Sequence, residues 1–126
     1  SASYMEEEFG HKPTDEEIHT LVMSWYNSQT DAAILSGFAY NGAHVWLSVE
    51  NLYNYKAAYD LAVQTGGETL PVTFKFGSDE QPEYHTFTQL EELKDFYTKA
   101  VGFIQTVLAE GWKKKDKFNL ELYRIE

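Results

Sequence analysis

Apolar residues recur along this chain at two spacings, and each change of spacing marks an element. After Thr14, set three residues before Glu17 as in a capping box, the apolar positions Ile18, Leu21, Val22, Trp25, Ala32 and Ala33 or Leu35 keep close to intervals of three and four. This predicts a helix whose stripe faces a core. Gly37 is its expected stop, because glycine readily takes the left-handed conformation that ends a helix. The period then shortens. Asn41-Gly42 sits between two short runs rich in β-formers, and both residues tolerate positive φ, so strands are predicted at Phe38–Tyr40 and His44–Leu47 as a hairpin.

Ser48 reads as the cap of a second helix carrying Leu52, Tyr55, Tyr59, Ala62 and Val63 on one face and closed by Gly66-Gly67. From Leu70 to Phe76 strict alternation returns. Val72, Phe74 and Phe76 fall on one side, with Thr73 and Lys75 on the other, as in a half-buried strand. The polar loop Gly77–Pro82 leads to a partner strand at Glu83–Phe87. Thr88 and Glu91 have the spacing of a second capping box, opening a third helix through Leu90, Leu93, Tyr97, Ala100, Ile104, Val107 and Leu108, with Gly111 as its expected stop. Phe118, Leu120 and Leu122, then Tyr123 and Ile125, suggest a last strand whose alternation slips once. The order α-ββ-α-ββ-α-β has hairpins between helices instead of strict β, α alternation, so the expected class is α+β with antiparallel pairing. Residues 1–12, rich in Glu and without periodicity, are expected to form a flexible acidic segment ahead of a single domain at 13–126.

Composition narrows what such a domain can do. Twenty Asp and Glu against ten Lys and Arg give a formal charge of −10, which opposes the phosphate neutralisation on which nucleic-acid affinity depends. Nucleic-acid partners are therefore not expected. The basic run Lys113, Lys114, Lys115 and Lys117 is read as a solvated cluster at a helix C-terminus, where the helix dipole favours cations. The absence of Cys excludes disulfides, thiolate zinc sites and cysteine nucleophiles. No stretch approaches the roughly 18–20 apolar residues that span a bilayer, so a soluble chain without membrane partners is expected. Aromatic residues reach 16%, ample for a core without staples.

The stretch Ser36-Gly37-Phe38-Ala39-Tyr40-Asn41-Gly42, then Leu47-Ser48, then the helix with Asn51 and Ala57-Ala58, resembles a small domain family encoded near tail and tail-fibre genes of phages and prophages. The matching order, a helix ending in a Gly-Phe turn, a Tyr-x-Gly hairpin, a Ser-capped helix with an Asn, a second hairpin and a closing helix, covers about residues 31–108. The chain departs from that family in having Tyr and Phe where Ala and Leu are usual, and in continuing past Gly111. The matching residues are turn and packing residues, and the resemblance carries over no catalytic residue. It implies a tail-associated setting, in a virion or in the bacterial cytoplasm.

His11, His19, His44 and His85 fall in separate elements without zinc-motif spacing, so neither a shared metal nor another cofactor is expected. The carboxylates Asp15–Glu17 and Glu91–Glu92 occupy first turns of helices, where anions are favoured without any catalytic role. G-x-S-x-G does not occur, and Gly66-Gly67 follows a helix where a phosphate loop would precede one. Aromatic side chains off the inward stripes remain, and Trp46, Tyr53 and Trp112 are the candidate contact residues. The expected function is a non-catalytic structural or adaptor domain of a phage or prophage tail apparatus, binding a partner protein or a second copy of itself. The alternative is a small carbohydrate-binding module using the same exposed aromatics.

Overall fold

The capping box at Thr14 forms. The Glu17 N–H donates to Thr14 Oγ1 at 3.1 Å and the Thr14 N–H donates to the Glu17 carboxylate at 3.1 Å, in a computed structural model that describes residues 10–119. The thus-capped helix α1 spans Asp15–Ser36. Strands β1 (Phe38–Tyr40) and β2 (Ala43–Val45), helix α2 (Val49–Gln64), strands β3 (Val72–Gly77) and β4 (Pro82–Phe87), and helix α3 (Leu90–Asp116) follow. The class is α+β, with three helices and two antiparallel two-stranded sheets among the described residues. By internal contacts the chain divides into two units, residues 32–107 and residues 1–31 with 108–126. The last predicted strand, from Leu120 onward, and residues 1–9 of the acidic segment lie outside the described residues. None of the helices among the described residues is long and apolar enough to cross a membrane.

In the 32–107 unit both hairpins form close to the positions the pattern predicts. Asn41 and Gly42 take φ of 48° and 83°, and the turn they make pairs Phe38 with Val45 and Tyr40 with Ala43. Gly37 is indispensable in a second way. Besides its φ of +74°, a Cβ there would lie 1.7 Å from the Val45 carbonyl oxygen, so the chain can pass β2 only without a side chain. Strand β2 ends two residues earlier than predicted. Trp46 and Leu47 continue its in-out alternation, yet the Leu47 N–H turns to the Leu35 carbonyl (3.3 Å) instead of a ladder partner.

Ser48 caps α2 through its hydroxyl, which accepts from the Asn51 N–H at 3.1 Å. At the other end the Gly67 N–H returns to the Ala62 carbonyl at 2.8 Å. Tyr55 and Ala62 are buried and Tyr59 half-buried, but Val63 is 47% exposed and lies off the packed face. The second hairpin pairs Phe74 with His85 and Lys75 with Tyr84, and buries Phe74, Phe76 and Phe87 on one side.

The centre of this unit is Phe96, a residue that the periodic stripe passes over. It is fully buried, and the rings of Phe38, Tyr40, Tyr55, Phe74, Phe76 and Phe87 lie with centroids 5.0–6.3 Å from its own. Both sheets and two helices meet on that ring. Such offset and edge-on pairs add to the burial of apolar area.

The helices depart from the expected pattern at several points. In α1 only Ile18 and Val22 are buried, with Leu21, Met23, Tyr26 and Phe118 packed on them. Trp25, Ala32, Ala33 and Leu35 are exposed, while Ile34 packs in the 32–107 core. Ile34 lies about a third of a turn round the helix from Val22, so no straight stripe joins them. Thr88 and Glu91 do not form a capping box. The helix begins at Leu90, with the Leu93 N–H bonded to the Gln89 carbonyl, one residue out of phase with the motif. Gly111 does not stop α3, which runs on to Asp116. Gly111 is buried against Thr30, whose hydroxyl would lie 2.4 Å from an added Cβ, so this glycine serves close approach instead of termination. Lys113, Lys114 and Lys115 fill the last turn, the position at which cations oppose the helix dipole.

Candidate functional site

Because β2 and β3 turn alternate residues inward, their other residues share an outer face. His44 and Trp46 project from the first hairpin, and Thr73, Lys75, Tyr84 and Thr86 from the second. Trp46 is held on three sides yet left open. Its Nε1–H donates to the Gly77 carbonyl at 2.9 Å, its carbonyl accepts from Asn51 Nδ2 at 3.1 Å, and the His44 ring meets it edge-on at 4.4 Å. Its indole is still 46% exposed. Lys75 pairs with Asp79 at 2.9 Å; that bond raises the lysine pKa and lowers the aspartate's. Thr73 and Thr86 share a hydroxyl bond at 2.9 Å, and Tyr84, opposite Lys75, is 67% exposed.

The three aromatic residues singled out from the sequence are not gathered in one place. Trp46 and Tyr53 belong to the 32–107 unit, but no ring contact joins them. Tyr53 stands one turn from the still more exposed Val49 on α2. Trp112 belongs to the other unit and lies on α3, correcting its predicted place beyond the helix. Tyr84 is the residue sequence reasoning passed over as a contact. Its signal was its place two before Thr86 in an alternating strand, but inward and outward faces of that strand have nearly equal polarity.

A second feature of the 32–107 unit is a recess of about 430 Å³ lined by Tyr40, Asn41, His85, Glu91, Glu92 and Asp95. The Tyr40 hydroxyl donates to Asp95 Oδ2 at 2.9 Å, and Lys99 Nζ donates to the same oxygen at 3.1 Å while lying 5.5 Å from the centre of the Tyr40 ring. Burial, then the hydrogen bond to Asp95, pushes the Tyr40 hydroxyl up to about 12. The bond from Lys99 and then that from Tyr40 hold Asp95 below its usual value. A phenol kept protonated and a carboxylate already paired make a hydrogen-bonded strut, not a poised acid and base.

His11 lies 3.5 Å from Glu17, the His19 ring lies tilted 5.8 Å from that of Phe118, His44 abuts Trp46, and His85 lies among Tyr40, Phe76 and Phe87. Among the described residues no three His, Asp or Glu side chains are placed to share a metal ion. The protein is thus an α+β chain in which Tyr53, Tyr84, Trp112, Trp25 and Trp46 stand among the exposed large side chains of the described residues. Compared with protein-family models, curated proteins and solved structures, it shows no significant match to any of them.

Proposed function

We propose that this chain is a non-catalytic adaptor domain that binds a partner protein through the outer face of its hairpins, as part of a phage or prophage tail apparatus. The observation that carries the binding role is Trp46, held by one hydrogen bond that its ring donates and one that its carbonyl accepts, while nearly half of it faces solvent. A rigid, open indole beside His44, with Tyr84 exposed on the neighbouring strands, offers contact area at little cost in side-chain entropy. The tail setting is supported by the sequence resemblance over residues 31–108.

The test places a photo-crosslinking amino acid at Tyr84 in cells producing the phage or prophage tail. Crosslinks to a tail protein, lost on Trp46→Ala with the unfolding curve little changed, are the expected result. Crosslinks to proteins outside the tail apparatus alone, or tail crosslinks that survive Trp46→Ala, would overturn it.

A further inference from the structure

The unit formed by residues 1–31 and 108–126 holds a recess of about 270 Å³ beside Trp112. Gly111, without a side chain, lets α3 come close to Thr30, and Asn27, Asp31 and Lys115 stand around the opening. None of these four polar side chains has a hydrogen bond or ion pair within the described structure, although other Thr and Lys residues of the same helices do. The indole of Trp112 is 57% exposed at the rim. The lining therefore combines an indole with an amide, a hydroxyl, a carboxylate and an ammonium that make no side-chain bond within the described structure.

We infer that this recess is a binding site for a single neutral pyranose ring. A pyranose presents a face of C–H groups that packs on an aromatic ring and an edge of hydroxyls that both donate and accept. Asp31 accepts from such hydroxyls, Lys115 donates to them, and Asn27 and Thr30 do either. The charges of Asp31 and Lys115 are opposite, so the site has no demand for a charged ligand, and the acidic chain as a whole disfavours an anionic one. The residues of this site and those of the partner-binding face belong to different units.

Titration of the full chain with glucose, galactose, mannose and N-acetylglucosamine, following the three indole N–H signals by NMR, tests the inference. Saturable movement of the Trp112 signal by at least one sugar is expected, with Kd on the order of 1 mM, as suits so small a ligand. Asp31→Asn and Lys115→Met should each weaken that binding roughly tenfold without altering the unfolding curve, and Trp46→Ala should leave it unchanged. No saturable Trp112 shift with any of the sugars overturns the inference. So does movement confined to the Trp46 signal, or saturation by a zwitterionic amino acid in place of a sugar.

Discussion

Tyr40 shows how one side chain can be legible as an aromatic and illegible as a titrating group. Its place in a Tyr-Asn-Gly hairpin predicts packing, and it is indeed buried at the edge of the Phe96 cluster. Its hydroxyl, however, meets Asp95 from a helix 55 residues away, a pairing that no local pattern encodes. The pKa near 12 has a consequence for stability. Because the folded value lies above that of the unfolded chain, near 10, the contribution is complete below pH 10 and is lost as pH rises toward 12. The loss amounts to about 2–3 kcal/mol at most, at roughly 1.4 kcal/mol per unit. Tyr40→Phe should therefore be less stable than the parent by about 1 kcal/mol at pH 7, from the lost hydrogen bond, and the difference should shrink and reverse by about pH 11. Urea unfolding at the two pH values measures it; a constant difference would mean that Tyr40 does not titrate as described.

At the scale of elements, the caps separate motif from use. Thr14 and Ser48 each bond a first-turn N–H, whereas Thr88, in an equally good Thr-x-x-Glu motif, does not, because α3 starts one residue later than the motif requires. Replacing Thr14 or Ser48 with Ala should cost about 1 kcal/mol each, and Thr88→Ala a few tenths or less. Thermal or denaturant unfolding of the three variants checks this, and a Thr88→Ala loss equal to the others would place a cap where none is seen. Gly111 teaches the same lesson in reverse. Glycine near the end of an apolar stripe reads as a stop, but here Thr30, brought alongside by the fold, requires the missing side chain, and the helix continues for five more residues to Asp116. Helix ends are legible where local bonds decide them and illegible where a neighbour does.

At the scale of the molecule, the aromatic content divides into a ring cluster around Phe96 and side chains left in solvent. Phe96→Ala removes the ring that six others touch and should cost about 3–5 kcal/mol. Tyr53→Ala and Tyr84→Ala, at 74% and 67% exposure, should change stability by about 0.5 kcal/mol or less. Comparing these three variants by denaturant unfolding tests whether the division of aromatics is as described. The sequence by itself determined the α+β class, both hairpins and the caps at Thr14 and Ser48, because turns, alternation and capping act between residues a few positions apart. Only the tertiary structure decided that Phe96 is the hub, that Trp46 is clamped yet open, and that Trp112 borders a polar recess. Each of those depends on groups far apart in the chain meeting at a distance of a few ångströms, and no spacing along the chain records such a meeting.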